Sequence, residues 1–265
     1  MRAVESARSE APARGTAPIG RASDSACCYN GFMRLRGGVS WQITVDEPGD
    51  LHLVLFVRDC FGLSAYMVDQ PGPLVPNVRD LSELLNESQQ RAAAAAWPRW
   101  WLAATEVHRS TSPLPPGSSL AEHHRQTWQR QSAVDGPHFE SLSYAPELRD
   151  AARAAFDPFQ LWWAPPLSTQ HPPHGRRGGP PRLPGVKGRL IDLHHGRRTI
   201  HDVITRIEHE LDRGVNPFDL RIEIVAISQP LILTQDEHHA VVSAELVANE
   251  TDFREWLYTT LHPIA

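Results

Sequence analysis

Apolar side chains at Val39, Trp41, Ile43 and Val45 alternate with polar ones, the period-two pattern of a strand with one buried face. Leu51, Leu53, Leu55 and Val57 repeat that spacing. Between the two runs, Glu47-Pro48-Gly49-Asp50 puts proline and glycine at the second and third positions of a type II turn. The pattern predicts an N-terminal β-hairpin. Val54 and Phe56 on the other face of its second strand predict a strand covered on both sides. Residues 63–68 read as a third strand, ended by Pro71, Pro73 and Pro76, which remove backbone donors.

Helical periodicity follows. Residues 80–96 are mostly strong helix formers, with Leu81, Leu84, Leu85, Ala92 and Ala95 or Ala96 on one stripe. Pro98 is expected to kink or restart the helix, after which Trp97, Trp100, Trp101 and Ala104 obey the i, i+3, i+4, i+7 rule and predict a buried tryptophan stripe. Residues 110–119 read as a loop, and weaker helices are expected over 120–131 and 146–156.

Towards the C-terminus, 189–193 reads as a strand. Ile200, Val203, Ile204, Ile207 and Leu211 form a helix face opened by Thr199 and closed by Gly214, and Leu220, Ile222, Ile224 and Ala226 alternate on a further strand. Two strands flanking a helix imply a right-handed crossover with the strands parallel. A short strand over 231–233 and an amphipathic helix carrying Phe253, Trp256, Leu257 and Leu261, starting at Asn249 or Thr251, complete the pattern. The expected class is α+β: an N-terminal β-hairpin with helices, then a C-terminal β-α-β unit with a terminal amphipathic helix.

Composition divides the chain further. Residues 1–32 are rich in Ala, Ser, Gly and Arg and poor in large apolar side chains, which predicts a disordered tail. Met33 stands just before the first periodic segment and is an alternative start. Pro and Gly fill half of 164–185, so 164–186 reads as a linker or long loop between a hairpin-and-helix region, 33–163, and a C-terminal αβ region, 187–265. Of the 26 basic residues only Lys187 is lysine, the codon signature expected of a GC-rich bacterial genome. A net charge of -5 argues against a nucleic-acid-coating role. Glu5 and Glu10 interrupt the start where a signal peptide needs its apolar core, and no apolar run approaches a membrane span. Three cysteines cannot build a disulfide framework, and together these features point to a bacterial cytoplasmic protein.

The chemistry on offer is sparse. There is no Walker A loop, no G-x-G-x-x-G and no G-x-S-x-G elbow. Fourteen histidines make metal binding the first question: His194, His195 and His201 with Asp202, and the run Asp236-Glu237-His238-His239, would suit zinc or another divalent metal if they met, with His194, His201, Asp236 and His238 as ligands. Arg58 is the one cation next to Cys60 in sequence, which reads as a small buried hydrophobe rather than a nucleophile. Trp162-Trp163 cannot both easily point inward on one helix face, so one of them is expected to cover an interdomain surface or a protein partner. With no enzyme signature and no cofactor motif, the leading expectation is a non-catalytic binding or regulatory module. The alternative is a metal-dependent hydrolase using the C-terminal His and Asp residues.

Overall fold

A computed structural model describes residues 27–29, 32–37, 41–66, 71–110, 119, 121–122, 125–126, 134, 136–163 and 193–265. Among the described residues the sheet has six strands, Cys27–Tyr29 (β1), Phe32–Gly37 (β2), Trp41–Asp46 (β3), Phe218–Val225 (β4), Ile232–Gln235 (β5) and His239–Ser243 (β6), in the order β1-β2-β3-β4-β6-β5. The central strands β3, β4 and β6 are parallel, and β2 and β5 flank them antiparallel. Around it lie Gly49–Cys60 (α1), Glu87–Ser110 (α2), Pro146–Trp163 (α3), Leu193–Leu211 (α4), Ala244–Ala248 (α5) and Glu250–Leu261 (α6), and the class is α+β.

An N-terminal hairpin is present, but β2 and β3 make it, in register from Met33 opposite Val45 to Gly37 opposite Trp41. The expected second strand, 51–57, is instead helix α1. Every side chain from Leu51 to Arg58 is buried, because α1 is enclosed by the sheet, α2 and α3. A helix without a wet face shows no 3.6-residue polarity, so its apolar run mimics a strand covered on both sides. Pro48-Gly49-Asp50 starts the helix rather than turning a hairpin: Pro48 is extended at the N-cap, and Asp50 sits in the first turn, where the helix dipole favours an anion.

Other boundaries moved for local reasons. Residues 63–66 form a 3-10 turn, not a strand. Helix α2 starts at Glu87 because Asn86 and Gln89 cap it reciprocally, each side-chain oxygen accepting the other's backbone N–H at 3.0 and 2.9 Å. Pro98 lies within a continuous helix, held there by burial of Trp97, Trp100 and Trp101 on either side of it. Helix α3 runs on past 156 because Phe159 and Trp163 continue its buried stripe from Leu148, Ala152 and Ala155. Helix α4 begins at Leu193, ahead of Thr199, and ends where Asp212 takes a left-handed φ of 51°. Asn249 caps α6 as expected, accepting from the N–H groups of Thr251 and Asp252. Cys27–Tyr29, inside the tail expected to be disordered, pair antiparallel with Phe32–Arg34 through the backbone. The remainder of the tail, 1–26 and 30–31, the linker 164–186, and most of the expected strand 189–193 and helix 120–131 lie outside the described residues.

The sheet has a core on each face. Trp41, Ile43 and Val45 of β3 and Leu220, Ile222 and Ile224 of β4 pack against Ile200, Val203, Ile204 and Ile207 of α4 and Phe253, Trp256 and Leu257 of α6. On the other face, α1, α2 and α3 form a second core with Val225 and Val241. The β3–β4 pairing spans residues 41–46 and 218–223, so strands from before and after 164–186 share one sheet.

Buried Arg58 ties the segment after α1 to the second core. Its Nε donates to Asp59 Oδ1 at 2.6 Å, Nη1 to the Pro71 carbonyl at 2.7 Å and Nη2 to the Gly72 carbonyl at 2.8 Å, while Asp59 Oδ2 accepts the Leu74 N–H at 2.7 Å. Lysine keeps the charge but not the planar fork. Arg58→Lys is therefore expected to cost about 1.5–3 kcal/mol in urea unfolding. A loss under about 0.5 kcal/mol would show that the fork contributes little.

Candidate functional site

Buried polar groups cluster at the carboxyl end of β3 and on the neighbouring face of β4 and β6 that is turned towards α1–α3. On the β4 face turned towards α1–α3, Arg221 and Glu223 replace the apolar residues of the opposite face, and both are buried. Glu223, paired in register with Asp46 of β3 and Val241 of β6, is fully enclosed. A charge so placed needs partners.

Two histidines supply them. His108, in the last turn of α2, reaches Glu223 Oε1 through Nδ1 at 2.7 Å and Asp50 Oδ2 through Nε2 at 2.7 Å. His239, the first residue of β6, reaches Glu223 Oε2 through Nε2 at 2.9 Å. Burial would depress the His108 imidazole, but Asp50 and Glu223 on either side outweigh it and raise its pKa to about 10. It is an imidazolium at neutral pH, and both ring N–H groups donate. Burial alone would push the Glu223 carboxyl up, yet His108 and His239 hold it well below the usual carboxylate range. Asp50, His108, Glu223 and His239 thus form a buried chain joining α1, α2, β4 and β6.

Beside it, His52 of α1 is also fully buried. Its Nδ1 donates to the Pro48 carbonyl at 2.7 Å and its Nε2 accepts the Ala226 N–H at 3.0 Å, which fixes the tautomer. Burial lowers its pKa to about 4, so it is neutral. Its ring packs on Trp163 with centroids 4.3 Å apart.

A cavity of about 500 Å³ opens at the carboxyl end of β3. The β3–α1 junction (Asp46, Glu47, Pro48, Gly49 and Asp50) and His108 supply most of its polar lining, and Phe156, Phe159 and Trp163 in the last turns of α3 supply aromatic surface, with Leu53, Val134, Gly136 and Gln160 completing it.

Of the metal-ligand candidates singled out in the sequence, those whose side chains are described fall elsewhere. His201 is exposed on α4. Asp236 and His238 belong to the β5–β6 turn, where Asp236 Oδ1 accepts the N–H groups of His238 and His239 at 2.8 and 2.7 Å and His238 Nδ1 lies 3.2 Å from the Asp219 carbonyl. Nothing is described of the His194 side chain. Among the described residues, no three His, Cys, Asp or Glu side chains are grouped to hold a metal. Cys60 is buried, and burial, with Asp59 and Asp80 nearby, pushes its thiol up to about 12, away from thiolate chemistry. Trp162 and Trp163 both join an aromatic cluster with His52, Phe56 and Phe159, and Trp162 Nε1 donates to the Pro76 carbonyl at 3.3 Å.

Sequence reasoning missed His108, Glu223 and Asp50. One signal pointed to His108, because Trp97, Trp101, Ala104 and His108 continue a single stripe at spacings of four, three and four. None pointed to Glu223, which is 115 positions from His108.

Fold and site together define an α+β protein with a mixed sheet covered on both faces and a partly acidic, partly aromatic cavity at the carboxyl end of β3. No protein-family model matches the chain, and no curated protein or solved structure is significantly similar to it. Among the described residues, no helix is long and apolar enough to cross a membrane.

Proposed function

We propose that this protein is a non-catalytic module that binds a small organic molecule in the cavity at the β3–α1 junction. One observation carries the reading: the imidazoles beside the cavity are committed to structure. His108 spends both ring nitrogens on carboxylates, and His52 spends both on backbone groups. General acid–base catalysis needs a group that exchanges its proton near the working pH, whereas at neutral pH His108 holds its proton and His52 stays neutral. What remains is shape and charge, a cavity of about 500 Å³ within the usual range for ligand sites of about 300–1,000 Å³. The buried free thiol of Cys60 accords with a reducing bacterial cytoplasm as its setting.

Thermal unfolding of the full chain against a panel of cationic, neutral and anionic fragments of about 8–15 heavy atoms tests this. At ten times its Kd, a bound fragment adds about 1.4 kcal/mol of stability. Gln160 is exposed at the rim, so Gln160→Trp fills the mouth without touching the core and is expected to abolish that gain while changing intrinsic stability by no more than about 0.5 kcal/mol. If no fragment stabilises the protein, or if the gains survive Gln160→Trp, the cavity is not a ligand site.

A further inference from the structure

We infer that His108 is a latch between α1 and α2 with two folded states, a closed one in which its ring bridges Asp50 and Glu223, and an open one in which Asp50 alone has let go and turned to the cavity. Ionised carboxylates only accept hydrogen bonds, and each ring nitrogen of His108 has a carboxylate oxygen at 2.7 Å, so in the closed state both nitrogens carry hydrogen. A neutral imidazole has one N–H. Loss of a proton must therefore break one of the two contacts, and the surroundings decide which.

On the Nδ1 side nothing can give. The Glu223 side chain is 0% exposed and its second oxygen is held by His239 Nε2 at 2.9 Å, so a carboxylate facing a bare Nδ1 there would be buried with no water to replace the lost bond. On the Nε2 side, the Asp50 side chain is 10% exposed and lines the cavity. Its Oδ1 accepts the Leu51 N–H at 3.0 Å, and it stands in the first turn of α1, where the helix dipole favours its charge, so Oδ2 can swing to water while Asp50 stays ionised and anchored. The proton leaves from Nε2, and Nδ1–H stays on Glu223.

The other charged groups leave that choice in place. Arg221, buried on the same face of β4 as Glu223, donates from Nη1 to the His108 carbonyl at 3.3 Å, which keeps the end of α2 on the sheet in both states. Asp46 and Glu47 line the same cavity but do not bond the His108 ring, and Asp46 Oδ1 accepts the Glu47 N–H at 2.8 Å. On α2 itself, exposed Glu106 and Arg109 pair with each other at 2.7 Å. Opening thus frees the start of α1 from the end of α2 and leaves α2 on β4. The latch does not need the cavity to hold a ligand.

Carbon-detected nitrogen-15 and carbon-13 NMR of the full chain, with His108 assigned through the backbone, reads both states as pH is raised from neutral. At neutral pH both ring nitrogens of His108 should give the signals of N–H groups. Near pH 10, where the flanking carboxylates put its titration, Nε2 should lose its hydrogen while Nδ1 keeps it and the chain stays folded. The backbone carbonyl carbons of Gly49, Asp50 and Leu51 should shift with the same midpoint, and those of Ile222 and Ile224 should hold still. Asp50→Asn leaves an oxygen for the Leu51 N–H and removes the charge, so it should lower the midpoint by about 1–3 pH units and give the same neutral tautomer. Loss of hydrogen from Nδ1 first, movement in β4 without movement in α1, or global unfolding with no folded neutral His108 would each overturn the inference. An Asp50→Asn midpoint equal to that of the unaltered protein would do the same. If Asp50→Asn does not fold, the nitrogen that loses its hydrogen in the unaltered chain decides alone.

Discussion

The stability of this protein is expected to peak near pH 6.5 and to fall on both sides, each limb owned by a different histidine. In the folded chain His52 titrates at about 4 and in the unfolded chain at 6.5. Its neutral form fits the site, so its contribution is complete above pH 6.5 and is lost as pH falls towards 4, a loss of about 3 kcal/mol. His108 has the opposite sign. Its folded pKa, raised to about 10 against 6.5 unfolded, means that its contribution is complete below pH 6.5 and is lost as pH rises towards 10, about 5 kcal/mol across that window. Below pH 4.5 the acid limb steepens, because Glu223, held well below its ordinary range, must be protonated for the chain to unfold in its favoured state. Denaturant unfolding between pH 4 and 10 gives the profile. His108→Gln should flatten the alkaline limb and His52→Gln the acid one, whatever their effect at neutral pH. A stability independent of pH from 6.5 to 9 would show that the Asp50–His108–Glu223 chain does not hold its proton.

Trp100→Ala is expected to lower the unfolding free energy by about 3–5 kcal/mol, the cost of a large core truncation. Trp100 is 2% exposed and meets Phe139 edge to face with ring centroids 6.2 Å apart. Its Nε1 has no hydrogen-bond partner among the described residues, so the loss is one of packing and cavity and not of a bond. Trp100→Phe, which also removes a buried unsatisfied donor, should cost less than Trp97→Phe, because Trp97 Nε1 donates to the Val54 carbonyl at 2.8 Å. Urea unfolding of the three variants measures this. A loss below about 1 kcal/mol for Trp100→Ala would mean that the core closes over the gap or that the ring faces outward.

Elements with one wet face were legible in the sequence. Ile200, Val203, Ile204 and Ile207, and Phe253, Trp256, Leu257 and Leu261, showed their helical stripe because solvent on the far side selects polar residues there, and all eight are buried as that stripe implies. The alternation of Leu220, Ile222 and Ile224 marked β4 as well, through the polar Arg221 and Glu223 between them, although both of those are buried. Where solvent is absent the signal vanishes. Helix α1, enclosed on all sides, kept no trace of its period, and an apolar run of that length fits either secondary structure.

The site was hidden by a related effect. Arg221 and Glu223 occupy the positions of β4 that alternation assigns to water, and in isolation the strand reads as half exposed. Only the packing of α1, α2 and α3 over that face turns those positions inward, and only the parallel pairing of β3, β4 and β6 puts Asp46 beside Glu223 and His239, in register with Arg221, within hydrogen-bond reach of Glu223. The sequence by itself determined which stretches prefer helix or strand and which of their faces repel water, because those preferences act over a few residues. The tertiary structure decided which polar residues lost their water, since the 58 and 115 positions from His108 to Asp50 and to Glu223 leave no local spacing between them. Burial then made the choice of partner binding, because a carboxylate enclosed at Glu223 is stable only with the imidazolium that α2 delivers to it.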